Sequence, residues 1–224
     1  MRSLRLVLTP LLILVALAVV RQTRPLAYDR LVMEDGWVET AQVVVYAAAG
    51  LVALHLAVLL WRRGLPARHG LAALVVAGLC GLVVLEEASW GQRWLHIDAP
   101  PWFRDHNRQA ELNLHNLNHL NQHMHLIQAL LAVTLLLACW FSDRSGPGRA
   151  RAAYFLPALC VFGFFLAWPE AVHGNLADCR QAHPARVTCV VWRDQEPAEL
   201  LMALGVLILL RHYRRPGLVE DLNR

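Results

Sequence analysis

Residues 40–61, TAQVVVYAAAGLVALHLAVLLW, form a run of 22 residues without Asp, Glu, Lys or Arg. A helix needs about 20 mainly apolar residues to cross a hydrocarbon core of about 30 Å. Further apolar runs, with at most two charged residues each, lie at residues 4–20, 70–87, 124–141, 152–169 and 197–211. The chain is 57% hydrophobic with a mean hydropathy of +0.38, whereas soluble domains are about 45–50% apolar. We therefore predict an all-α, polytopic transmembrane helical bundle of about six spans, forming a single integral-membrane domain over residues 1–224.

The first run can be interpreted in two ways. Arg2 and Arg5, a short apolar core and the small residues Ala16 and Ala18 also fit a secretory signal peptide, whose cleavage would leave five spans. We favour a retained anchor. Both interpretations place Arg21 and the residues after it outside the cytoplasm.

Arginine sets the predicted orientation, because the chain contains no lysine. The amino terminus, residues 62–69, residues 142–151 and the tail from residue 211 hold twelve arginines and three acids, whereas the remainder holds nine arginines and fourteen acids. By the positive-inside rule, the first group faces the cytoplasm. We predict a bacterial inner-membrane protein with both termini cytoplasmic and a polar cluster facing the periplasm. The basic balance reflects topology, so we predict membrane lipid and no nucleic acid as a partner, and protein partners stay unknown.

The five cysteines fall into two groups. Cys80, Cys139 and Cys160 lie in apolar runs, where we interpret them as small core residues. Cys179 and Cys189 lie in a predicted periplasmic loop, an oxidising compartment, and we predict a disulfide that closes CRQAHPARVTC. A metal site at this pair is the weaker interpretation, because the spacing is not of the CxxC type.

The stretch VVLEEASWGQRWL, residues 83–95, ends the third span with two adjacent carboxylates, Glu86 and Glu87. One interpretation is a structural salt bridge from either glutamate to Arg93. The other is a functional site, because ionisable groups at membrane depth are costly to keep.

The stretch ELNLHNLNHLNQHMHL, residues 111–126, precedes the fourth span. At 100° per residue its leucines form one stripe, which predicts an extra amphipathic helix in the second outer loop. Glu111, His115 and His119 are spaced four apart on the polar face, so they could reach one ion. We predict them as ligands of a divalent transition metal such as zinc. A hydrated helix face is the alternative.

Two motifs and an upstream segment also carry a resemblance. EEASWGQRWL (86–95), HNRQAELNLHN (106–116) and MEDGWVE (33–39) resemble an uncharacterised family of bacterial polytopic membrane proteins with the patterns E-E-x-S-W-G-Q-R and N-x-Q-x-E-x-N-L-H-N. The resemblance covers the central third of the chain and the entry to the second span, and it implies no activity.

The chain is also distantly similar to the alkaline ceramidase and hemolysin-III-like membrane hydrolases, which use Ser, Asp and three His around zinc. It departs from that pattern, because His115 and His119 precede the fourth span and no histidine pair occurs late in a span.

Two functions therefore stay open. The first is a metal-dependent hydrolase or transferase that acts on a lipid or lipid-linked substrate at the outer leaflet. Its predicted catalytic residues are Glu86 as general base, Glu87 and Arg93. Its predicted substrate-binding residues are the amides Gln92, Asn107, Gln109, Asn113 and Asn116. The second is a non-enzymatic transporter, proton pathway or accessory subunit, in which glutamate and histidine carry or sense protons.

Overall fold

The computed structural model describes residues 2–33, 36–142, 150–173 and 190–214. Glu34, Asp35 and the predicted disulfide pair Cys179 and Cys189 lie outside this part of the chain, so the disulfide stays a prediction. The helices are α1 Arg2–Thr23, α2 Pro25–Val32, α3 Trp37–Arg62, α4 Ala67–Glu87, α5 Gln92–Leu95, α6 Pro101–His106, α7 Asn118–Ser142, α8 Leu156–Ala167 and α9 Glu196–Tyr213. The two-residue strands β1 Val172–His173 and β2 Val190–Val191 pair in parallel.

In the described part of the chain, four helices are long and apolar enough to cross a membrane: Leu4–Thr23, α3, Ala67–Glu87 and His123–Phe141. Helix α8 is apolar but has only 12 residues. The predominantly helical class is therefore confirmed, and four helices fit a membrane protein. The count of six spans stays a prediction.

The chain divides into two compact units, one of residues 1–41 and 125–205 and the other of residues 42–124 and 206–224. In the first unit, Asp194 accepts hydrogen bonds from three sides. Arg21 donates through Nε (3.0 Å) and Nη2 (2.8 Å), the Tyr28 hydroxyl donates at 2.7 Å, and the Val191 amide donates at 3.0 Å. These contacts join the end of α1 and helix α2 to the segment just before α9. The retention of the first run stays a prediction.

The first unit also contains close packing along the apolar helices. A Cβ added at Gly205 of α9 would lie 2.6 Å from the ring of Phe155, so this helix approaches its neighbour more closely than a side chain permits. On α7, the His125 ring packs edge-on against Phe165 and bonds Gln195 at 3.0 Å. Small residues and buried polar pairs commonly join helices in membranes.

The second unit contains the predicted glutamate and amide motifs. Helix α3 buries Ala53, Leu56, Ala57 and Leu60. Cys80 of α4 is buried, and so is Cys139 in the first unit, which confirms two of the predicted core cysteines. Cys160 is exposed on α8, so its assignment to the core is wrong. An exposed cysteine on an apolar helix can instead face lipid, which is as apolar as a protein core.

Candidate functional site

The candidate site begins where α4 ends, at a reversal of the chain built from left-handed residues. Ser89, Trp90 and Gly91 have φ values of 45°, 55° and 79°. Glycine adopts this region freely, whereas other residues lose about 1–2 kcal/mol each. Non-glycine residues remain in such conformations only where their surroundings hold them.

The side chain of Glu86 holds this reversal against a distant part of the chain. Its Oε1 accepts the indole N–H of Trp90 at 2.7 Å. Its Oε2 accepts the backbone N–H groups of Leu114 at 2.6 Å and of His115 at 3.1 Å. One buried carboxylate therefore joins the end of α4 to the loop that precedes α7.

A second carboxylate, Glu111, joins the same two segments from the other side. Its Oε2 accepts the Ser89 hydroxyl at 2.5 Å and the side-chain amide of Asn113 at 3.1 Å. Ser89 and Asn113 are almost inaccessible to solvent. Because buried polar groups are costly without partners, this satisfied network fixes the strained reversal.

Amide side chains close residues 107–117 into a compact loop, which we call the amide loop. Asn107 donates through Nδ2 to the backbone and side-chain oxygens of Asn113, both at 2.8 Å, and its Oδ1 accepts the N–H of Gln109 at 2.9 Å. The side chain of Asn116 donates to that of Gln109. The backbone N–H of Arg108 donates to the Asn116 carbonyl at 3.0 Å. The loop therefore has a defined shape without helical hydrogen bonds.

The amphipathic helix predicted from residue 111 is not present, because α7 begins only at Asn118. Side-chain oxygens take several of the backbone N–H groups that a helix would use: Gln92 Oε1 accepts from Leu112 at 2.6 Å, and Glu86 accepts from the two residues after Asn113. Asn, Gln and Glu side chains compete with helical bonding in this way. The helical spacing argument for a joint Glu111–His115–His119 site is therefore wrong.

The described side chains contain no group of three or more His, Cys, Asp or Glu placed to hold a metal ion. The side chains of His119, a predicted ligand, and of Arg93, a predicted catalytic residue, lie outside the described part of the structure. Glu111 Oε2 is engaged by Ser89 and Asn113. The zinc ligand set thus stays a prediction that the described geometry does not support.

The structure does bring Glu86 and His115 together. Glu86 Oε2 lies 3.5 Å from His115 Nδ1, with side-chain exposures of 12% and 28%. Because the same oxygen accepts the His115 backbone N–H, this carboxylate contacts both the backbone and the ring of the histidine. A carboxylate beside one ring nitrogen sets the ring orientation, and the other nitrogen can exchange a proton with a bound molecule.

Glu87 has a different environment from that of Glu86. Its Oε1 lies 3.5 Å from the side-chain nitrogen of Gln42, a residue of α3 that is only 2% exposed. Adjacent helical residues point about 100° apart, so the two glutamates face different neighbours. The two carboxylates therefore have different hydrogen-bond partners.

From the sequence, Trp90 was included only in the family motif, and its contact with Glu86 was missed. Its indole is a hydrogen-bond donor to Glu86, four residues earlier. The signal that could have indicated this contact is the separation of four residues between Glu86 and Trp90. Ser89 was included only in the family motif, yet it bonds both Glu111 and Asn113.

Comparison of the chain with protein-family models, curated proteins and solved structures gives no match. The family resemblance of the two motifs therefore stays a prediction, and the site is interpreted from its own geometry.

Proposed function

We propose that this protein is an integral-membrane hydrolase or transferase that acts on a lipid or lipid-linked substrate, with His115 as its general base. The proposed site lies at the end of α4, which the predicted orientation places at the outer leaflet. The observation that carries the proposal is the contact of 3.5 Å between Glu86 Oε2 and His115 Nδ1.

In this proposal Glu86 is a positioning residue, which changes the role predicted from the sequence. It accepts three hydrogen bonds from protein N–H groups, and these stabilise its charged form and make it a weak base. His115 is more accessible, and an imidazole is a group that commonly acts as a general base. In this proposal Glu86 orients the ring, and the imidazole of His115 transfers the proton.

Four of the five amides predicted to bind substrate lie in the amide loop, and the fifth, Gln92, accepts a hydrogen bond from one of its N–H groups. Asn107, Asn113 and Asn116 are buried, and their side chains bond within the loop. The proposed substrate contacts are therefore Arg93, retained from the sequence prediction, and the exposed apolar side chains of Trp90 and Leu114. An arginine suits a polar or anionic head group, and exposed apolar side chains suit the acyl part of a lipid.

The test incubates purified protein in nanodiscs that contain a total bacterial lipid extract. Mass spectrometry of the lipids before and after incubation should show a changed lipid species with the wild type. The change should be lost with His115→Gln and kept with His106→Gln, a matched exposed histidine. Glu86→Gln should move the pH of half-maximal rate downward, because loss of a neighbouring negative charge makes the imidazole easier to deprotonate.

Metal analysis of the same samples tests the predicted zinc. A bound zinc would supply an activated water at neutral pH. Metal in the wild type that is lost in both His115→Ala and Glu111→Ala would support the original ligand set. A metal-free wild type that alters no lipid would contradict the enzyme proposal and favour the transporter, proton-pathway or accessory role.

A further inference from the structure

An open groove lies along α3, in the half of the helix that leads to the loop before α4. Its volume is about 370 Å³, and it is lined by Leu51, Leu54, His55, Val58, Leu59 and Arg62. Four of these six side chains are aliphatic. The groove therefore offers an apolar wall long enough for part of an acyl chain, with a cation at its end.

The loop at the end of the groove is strongly basic. Arg62, Arg63 and Arg68 are all exposed, and the sequence from residue 40 to residue 85 contains no Asp or Glu. In the described part of the chain, no carboxylate pairs with these three guanidinium groups. Three arginines without a carboxylate partner among the described residues, at the end of a predicted span, attract anionic head groups.

His55 adds a polar group inside the groove. It is exposed and lies seven residues before Arg62, which places it on the same helix face about 10 Å further into the span. An ionisable side chain that faces hydrocarbon is costly unless a polar group meets it. A phospholipid supplies such groups, because its glycerol esters lie between its phosphate and its acyl chains.

We propose that this groove is a binding site for an anionic phospholipid, separate from the Glu86 site. Its phosphate is bound by Arg62 and Arg63 with Arg68 nearby, its ester region meets His55, and one acyl chain lies along the leucines. Helix α4 extends about 30 Å from this loop to Glu86. The lipid is therefore bound at the membrane surface opposite the proposed catalytic site.

Native mass spectrometry of the detergent-purified full chain tests the proposal with two lipids of equal acyl chains, dioleoylphosphatidylglycerol and dioleoylphosphatidylcholine. We expect the wild type to retain phosphatidylglycerol at least tenfold more than phosphatidylcholine. The triple variant Arg62→Gln, Arg63→Gln and Arg68→Gln should lose this preference. The matched control, with glutamine at the exposed arginines 24, 30 and 104, should keep it.

A second variant tests the groove itself. Val58→Trp fills the groove from an exposed position without changing charge, so it should reduce phosphatidylglycerol retention severalfold while helical content is unchanged. Equal retention of the two lipids, or full retention in Val58→Trp, would overturn the proposal. A dimeric mass that retains no lipid would overturn it as well, since a second copy would then cover this face.

Discussion

Glu86→Gln is the sharpest test of how the candidate site is held together. An amide has one oxygen, so it can accept from the amide loop or from Trp90 but not from both. If the oxygen of the new glutamine side chain faces the amide loop, the N–H groups of Leu114 and His115 still have an acceptor, but it is neutral. Hydrogen bonds to charged groups contribute about 1.5–3 kcal/mol and neutral ones about 0.5–1.5 kcal/mol. Two bonds weakened by about 1 kcal/mol each, and one lost bond to a partly exposed indole that water can replace, therefore destabilise the closed loop by about 2–4 kcal/mol.

Amide hydrogen exchange measured by mass spectrometry reports this change locally. Since 1.4 kcal/mol is a factor of ten, exchange of the 107–117 peptide should accelerate by about two orders of magnitude. Peptides of α3 should be unaffected. Asp105→Asn is the matched control, because Asp105 is exposed beside the same loop.

Trp90→Phe separates the two halves of the network. It removes the indole donor but leaves both backbone bonds to Glu86, and Trp90 is 43% exposed, so its indole can also bond water. We expect exchange of the amide loop to rise less than tenfold. Unchanged exchange in Glu86→Gln would refute the assigned role of this carboxylate. Equal acceleration in α3 would show global unfolding instead of local release.

Three further substitutions have directions that follow from the geometry. Arg21→Gln removes the two-pronged contact with Asp194 and should lower stability by about 1–3 kcal/mol, seen as a lower Tm. Ala110→Gly relieves a φ of 56° and should raise stability by about 0.5–1 kcal/mol after the entropy cost of glycine, measured by denaturant titration. Gly205→Ala places a methyl group against Phe155 and should lower the yield of monodisperse protein.

Matched controls exist for each substitution. Arg24→Gln changes an exposed arginine near Arg21 and should leave Tm unchanged. Ala47→Gly, in the middle of α3, should destabilise by about 1 kcal/mol, opposite in sign to the loop substitution. Gly78→Ala meets no atom within 4 Å and should not reduce yield. Equal behaviour of a variant and its control would contradict the corresponding contact.

The helical class was predictable from the sequence, because burial in lipid requires long apolar helices whatever their neighbours are. The run at 40–61 lies within α3, and the run at 124–141 lies within α7. The sequence also identified residues that do meet: Glu86, Glu111 and His115 belong to one network with Ser89. A high density of polar residues beside a predicted span indicates a hydrogen-bonded cluster, since each buried polar group needs a partner.

The conformation of residues 111–117 was not predictable from periodicity. The leucine pattern fits a helix, but it contains no information on where backbone N–H groups find acceptors. Glu86 and Gln92, some 20 to 30 residues earlier, supply those acceptors and replace helical bonds. A contact between segments this far apart depends on the tertiary fold, which a window of local sequence does not contain.

The contacts of Glu86 also change the roles proposed for Glu86 and His115. A glutamate at the end of a span can be a base only if its oxygens are available to a substrate, and those of Glu86 are committed to protein N–H groups. The left-handed residues Ser89 and Trp90 reverse the chain beside Glu86. The hydrogen bonds that Glu86 accepts there offset the conformational cost of this reversal. His115 gains its fixed position from that carboxylate. In the proposed function, proton transfer therefore falls to the histidine, and Glu86→Gln should both lower the pH of half-maximal activity and loosen the amide loop.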